Sequence, residues 1–322
     1  MKETDYAYAV ARIRANESRL LTGAMLEEIV AAPSYDAALK LLSSFGWAQD
    51  GETDVSALLR AQNEQLWTLL RESVPDENEL PVLTALNDFY NLKAALKCML
   101  TDVDPAPFYV QPTMLDLSAV TDAMQKHAFE KLPQPLADCA KDAYETACRT
   151  ESGQSADVII DAAALECLYR QAEETDCALL SQMLRFICDS TNIKIAVRCA
   201  RTKKDLSFTR LAVGPCDKLD RDALCLAAVQ GEAALLEYLH ATPYRDGAAA
   251  LKKSTTAFEK WCDDSLVALC REAKYTFFGF EPIAAYYFAK TTEIKAVRIV
   301  LCAKQSGVAT DIIRERVRAL YV

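Results

Sequence analysis

A nine-residue pattern occurs three times in the chain, and the near-equal spacing of its copies constrains the fold more than any other feature. The copies occupy residues 88–96, 189–197 and 293–301. Their leading acids, Asp88, Asp189 and Glu293, stand 101 and 104 positions apart, which is a domain-sized interval. Three places after each acid comes a small or amide residue, followed by an aliphatic and a base. These read Asn91-Leu92-Lys93, Asn192-Ile193-Lys194 and Ala296-Val297-Arg298. A threefold recurrence of this kind marks one supersecondary block copied and reused. Pro-bearing connectors follow the first two copies, at Asp104-Pro105-Ala106-Pro107 and Gly214-Pro215, because proline removes a donor and restricts its predecessor. The chain therefore divides into helical repeat domains over 1–105, 106–207 and 208–322. The third copy, with Ala296 in place of Asn, makes that pseudo-threefold arrangement asymmetric.

The repeated block is helical. Only 9 Gly and 11 Pro occur in 322 residues, below the usual ~7% and ~5%. Apolar residues recur at helical spacing in 6–21 (Val10, Ile13, Leu20, Leu21) and in 58–70 (Leu58, Leu59, Leu66, Leu69, Leu70). Ser34 suits an N-cap, Gly307 a helix C′ position, and Thr310 or Asp311 the cap of a last short helix. In that helix Arg314 and Arg318 are expected on one face and Ile313, Val317 and Leu320 on the other. Strand alternation is absent, so the expected fold class is all-α. Leu219 to Leu224 echoes Leu21 to Leu26, which suggests that each repeat opens with a short helical pair and closes on the motif helix.

Several chemistries are excluded. The net charge is −10, with 46 acidic against 36 basic residues, and such a surface repels phosphate backbones, so nucleic acid is not an expected partner. No two of the 12 cysteines lie within four residues of each other, which rules out Cys-x-x-Cys zinc or redox pairs. Cys177, Cys188 and Cys199 recur every eleven residues, close to three helical turns, as one buried stripe would. The acidic opening Met1-Lys2-Glu3 is unlike a signal peptide, and reduced thiols are expected. No apolar run approaches the ~18 residues of a membrane span. Phosphate loops and a nucleophile elbow are missing, and the two histidines, His127 and His240, stand far from any Cys or acid motif. No catalytic, cofactor or metal residue is expected, and the chain is not expected to be an enzyme.

On the motif helix the acid, the Asn, Ala95 or Ala196, and Cys98 or Cys199 share one narrow face. Three catalytic copies of one acid would need three equivalent sites. The acids are therefore expected to be buried partners of a base or a helix end in a neighbouring repeat, where an unpaired carboxylate would be costly. The string Phe277-Phe278-Gly279-Phe280-Glu281-Pro282 places Pro282 in a helix first turn, with the phenylalanines packing as a hydrophobic staple or serving as a partner anchor.

These residues resemble a known family, the C subunits of the archaeal and bacterial A/V-type ATPases, related to the d subunits of the eukaryotic enzymes. The resemblance is carried by Phe278-Gly279-Phe280-Glu281-Pro282, Ala289-Lys290, Glu293-Ile294-Lys295 and Arg298-Ile299, and by Ile313 to Val322 with Arg316, Arg318 and Tyr321. Tyr6 to Ala9 with Arg12, Arg14 and Leu20-Leu21-Thr22, and Tyr90-Asn91-Leu92-Lys93, also match. It implies a funnel of three similar helical domains acting as a non-catalytic rotor socket. That socket would seat the central-stalk shaft on the membrane proteolipid c-ring, at the cytoplasmic face and peripheral to the bilayer. Arg12, Arg14, Arg314 and Arg318, with Phe278 and Phe280, are the candidate partner contacts. A freestanding helical-repeat adaptor is the alternative reading.

Overall fold

The structure, a computed structural model, describes residues 3–47, 53–150 and 153–322; Met1 and Lys2 of the acidic opening lie outside them. Every regular element among the described residues is helical, as the scarcity of breakers requires. The chain begins with α1 (Ala7–Glu17), α2 (Gly23–Ala31), α3 (Tyr35–Ser44) and α4 (Val55–Ser73), then α5 (Pro81–Thr101), which carries the first motif. Next come α6 (Leu117–Gln125), α7 (Leu136–Thr150), α8 (Gly153–Glu174) and α9 (Ala178–Arg201), the last with the second motif. Then follow α10 (Leu206–Ala212), α11 (Arg221–Gln230), α12 (Glu232–His240), α13 (Arg245–Lys253) and α14 (Thr255–Glu272). The 25-residue α15 (Glu281–Gln305) bears the third motif, and α16 (Thr310–Arg316) ends the series.

Side-chain caps set where many of these helices start. Thr22, Ser34, Asp54, Asp116, Asp220 and Ser254 each accept from a backbone N–H of the following first turn, an interaction worth ~1 kcal/mol. Pro81 and Pro282 occupy first-turn positions, where their missing N–H is no loss. Gly307, at φ +67°, takes the left-handed residue that closes α15.

Contacts gather the chain into two compact units. The first comprises Met1–Glu79, Cys177–Leu180 and Asp246–Val322, and the second Leu80–Asp176 and Ser181–Arg245. In the first unit Leu26, Ile29, Leu42 and Leu58 pack against Val297, Val300 and Leu301 of α15. In the second, Leu92 and Leu96 of α5 pack against Met124, Leu136, Ala140 and Ile160. The aliphatics at the first and fifth places after the motif Asn or Ala are buried in all three copies: Leu92 and Leu96, Ile193 and Val197, Val297 and Leu301. Each contributes ~1.5–3 kcal/mol by leaving water. Cys177, Cys188 and Cys199 are buried as the eleven-residue spacing requires.

Three expectations are corrected. The helix expected over 6–21 stops at Glu17, and Leu20 and Leu21 are buried beyond it, because the Leu21 N–H is taken by a carboxylate of α15. The last helix ends at Arg316 with Val317 extended (φ −67°, ψ 141°). Arg314 and Arg318 thus share no helical face: Arg318 turns inward, its Nε 2.7 Å from Asp263 Oδ2. The cap of that helix is Ala309, ahead of Thr310 and Asp311.

Candidate functional site

The three motif copies form three joints, each within one unit. In the second, Asn192 and Asp189 on α9 hold the connector that leads into α11. Asn192 Oδ1 accepts the Gly214 N–H at 2.8 Å, while its Nδ2 donates to the Gly214 and Pro215 carbonyls at 3.3 and 2.8 Å. Asp189, fully buried, accepts the N–H groups of Asp217 and Lys218 and the Tyr244 hydroxyl, each at 2.8 Å. Gly214 lies so close to α8 that a Cβ would meet Leu165 Cβ at 2.8 Å, so glycine is required by the approach.

The first joint repeats this chemistry. Asn91 exchanges two bonds with Val110, accepting its N–H at 2.7 Å and donating to its carbonyl at 3.0 Å. Asp88 accepts the Thr113 hydroxyl. The third joint keeps the acid and loses the amide. Glu293 accepts the Leu21 N–H at 2.7 Å, the Trp47 indole N–H at 2.6 Å and the Lys290 ammonium at 2.5 Å. Ala296 has no polar atom to add, and the longer Glu reaches what the Asp–Asn pair shares elsewhere.

What each acid holds is the same kind of segment. The bonded residues sit just before, or at, the leucine of Leu115-Asp116, Leu219-Asp220 and Leu21-Thr22, and the second residue of each pair caps the next helix. The first copy therefore grips the segment that opens α6, and the second copy the segment that opens α11. The third copy grips the residue before the cap of α2, 272 positions back. The acids serve helix openings. The Leu115-Asp116 signal, in register with the other two, was present in the sequence and was missed.

Electrostatics follow from burial. Desolvation raises the Asp88 and Asp189 carboxyls above their ordinary range, and the hydrogen bonds offset part of that rise. Burial and the adjacent carboxylate hold the Tyr244 phenol far above its usual range, so it donates as a neutral group. A raised carboxyl contributes stability that is present below the unfolded value and lost as pH climbs through the folded one. The stability deficit of Asp189→Asn relative to the parent should therefore be larger at pH 5 than at pH 8. Urea unfolding of both proteins at the two pH values measures it, and a deficit that grows with pH would contradict this account.

The remaining motif residues are placed as follows. Lys93 pairs with Asp161 of α8. Lys194 is half-buried and Arg298 exposed, and neither has an ion-pair partner among the described residues. Of the six candidate partner contacts, three are internal. Arg14 bonds the Ala273 and Thr276 carbonyls at 2.5 and 2.7 Å, Phe280 packs edge-on to Tyr6, and Arg318 is buried on Asp263. Arg12 pairs with Glu72 at 2.9 Å, and Arg314 with Glu27 at 2.5 Å and Asp311 at 2.9 Å at the surface. Phe278 is 49% exposed beside Phe277 at 72% and Tyr275 at 83%. The aromatic string is therefore split: Phe280 belongs to the core, and the other two phenylalanines face solvent.

Among the described residues no His, Cys, Asp and Glu cluster is fit to hold a metal ion. Burial pushes the thiols of Cys139, Cys177, Cys188, Cys216 and Cys270 up to about 12, which leaves them protonated and unreactive at neutral pH. Among the described residues no helix is long and apolar enough to cross a membrane.

Comparisons with known proteins agree over nearly the whole length. The family described as ATP synthase (C/AC39) subunit matches residues 9–316. A relative from Enterococcus hirae, the C subunit of its V-type sodium ATPase, is 26% identical, with the alignment covering 96% of this chain and 97% of the relative.

Proposed function

The chain belongs to the ATP synthase (C/AC39) subunit family, and from that premise we propose that it is the rotor socket of a V-type ATPase, seating the central-stalk shaft on the membrane proteolipid ring. As a member of that family it is a non-catalytic structural part of the complex. The match from residue 9 to residue 316 carries the proposal, because it takes in all three joints together with the segments they hold.

The physical demands of a coupling part support the reading. Torque is passed between shaft and ring only by a body that does not yield, and close-packed helices have low compressibility. Buried carboxylates that tie a rigid helix to the start of the next repeat stiffen the places where repeats would otherwise hinge. On this proposal the three repeats, 1–105, 106–207 and 208–322, are the bodies so tied. The protein lies at the cytoplasmic face, peripheral to the bilayer and held there through the complex. Phe278, with its exposed neighbours, and Arg314 are retained as partner-facing residues, while Arg14, Phe280 and Arg318 are assigned to internal support.

Size-exclusion chromatography with the purified shaft protein tests the role. Co-elution at low and moderate salt, with no ATP hydrolysis by this chain alone, is the expected result. Separate elution at both salt concentrations would overturn it.

A further inference from the structure

Residues 317–322 follow α16 without helical structure and lie against α14, all within the first unit. Charged side chains of α14 hold their backbone. The Lys260 ammonium donates to the Val317 carbonyl, and Asp264 Oδ1 accepts the Ala319 N–H at 2.6 Å. Arg271 donates to the Leu320 carbonyl and, at 3.3 Å, to that of Tyr321. Lys260, Asp264 and Arg271 are spaced by four and seven residues, so one face of the helix carries all three. The contacts advance in step along both segments, which therefore run in the same direction. Arg318, bound to Asp263, is buried, as are Leu320 and Tyr321.

Tyr321 carries this hold across to α1. Its hydroxyl donates to Glu17 Oε1 at 2.8 Å, while the Lys274 ammonium sits 4.6 Å from its ring centroid. The same Glu17 oxygen takes the Arg14 guanidinium at 2.7 Å. The other end of that guanidinium, Nη2, donates to the Ala273 and Thr276 carbonyls at 2.5 and 2.7 Å. Those carbonyls belong to the 3₁₀ turn Ala273–Tyr275 and the residue after it, the stem of a tip that exposes Tyr275, Phe277 and Phe278. Beyond the tip, Phe280 packs edge-on to Tyr6 at the start of α1. Both ends of the aromatic tip are thus held from one segment.

We infer that residues 317–322 are a strap that fixes the aromatic tip from a distance. Docked on α14, the strap holds Tyr321 against Glu17, Glu17 orients Arg14, and Arg14 clamps the turn below Tyr275, Phe277 and Phe278. Each link joins a charged group to its partner, and such hydrogen bonds are the stronger ones. The planar guanidinium suits the middle of the relay, because its fixed fork of donors couples the carboxylate on one side to the two carbonyls on the other. Tyr321 and Glu17 are positioning residues, acting on the tip through Arg14. Rings already held in place lose less conformational freedom on contact than mobile ones, which suits residues assigned to face a partner. The inference concerns the conformation of the tip and stands whatever that partner is.

Hydrogen exchange of the full chain, read at residues 273–276, tests the relay, because the Thr276 N–H donates at 3.0 Å to the same Ala273 carbonyl that Arg14 holds. Tyr321→Phe keeps the ring in its buried place and removes only the hydroxyl. It should speed exchange there about tenfold while α2 and α3 keep the protection of the parent. Arg14→Gln should do at least as much, and in that background Tyr321→Phe should add nothing. Glu17→Ala is the second background, in which the Tyr321 hydroxyl has already lost its acceptor and the same result is expected. Unchanged exchange at 273–276 in Tyr321→Phe, an equal rise throughout the first unit, or a further rise in either background would each overturn the assignment.

Discussion

Asp189→Ala is expected to destabilise the second unit by about 3–5 kcal/mol, the cost of stranding buried donors and breaking a network. The parent carboxylate satisfies the Asp217 and Lys218 N–H groups and the Tyr244 hydroxyl. Alanine leaves all three without an acceptor in a place where the side chain had no exposure to water. Asp88→Ala should act in the same direction and less strongly, because Asp88 carries the Thr113 hydroxyl and only one backbone bond. Thermal melting of each variant, set beside its binding to the shaft protein, decides between a joint and a contact site. A joint predicts a lowered melting temperature with affinity retained below it. Unchanged melting with lost binding would show that these acids face a partner.

Glu293→Ala should have a comparable effect on the first unit, through a different cause. Removing one member of a buried ion pair leaves the other as an uncompensated charge, and this costs about 3–5 kcal/mol. Lys290, with 9% of its side chain exposed, sits over the Trp47 ring and donates to Glu293. Replacing both charges while keeping one carbonyl acceptor, enough for the Leu21 or the Trp47 N–H, relieves part of that cost. The double variant Lys290→Met with Glu293→Gln is therefore expected to be more stable than Glu293→Gln alone. A double-mutant cycle read by urea unfolding should give a coupling of about 1–3 kcal/mol. A coupling near zero would mean that the two charges are held independently.

Much of the fold was legible because it depends on side-chain periodicity. The aliphatics beside each motif, such as Leu92 and Leu96 or Val297 and Leu301, repeat at helical spacing, and burial followed that spacing. Caps such as Ser34 were readable because the capping atom and the N–H it serves lie within one turn. The candidate site was half legible. That Asp88, Asp189 and Glu293 would be buried and paired followed from their place on a small-residue face. Their partners did not, since those partners are largely backbone N–H groups, which every residue except proline carries. The fates of Phe278 and Phe280, two residues apart, could not be separated either, because exposure there is set by Tyr6, far away in the chain.

The sequence by itself determined an all-helical chain, three copies of one block and the motif residues that each copy carries. These rest on local periodicity and on pattern, which need no knowledge of distant neighbours. Only the tertiary structure decided that each copy grips the segment opening another helix, at α6, α11 and α2. It also decided that the third copy returns to Leu21 through Glu293 alone, and that Arg14 and Arg318 serve the interior. Those outcomes depend on which polar atoms come within about 3 Å of one another after packing, a property of the folded chain that no local pattern encodes.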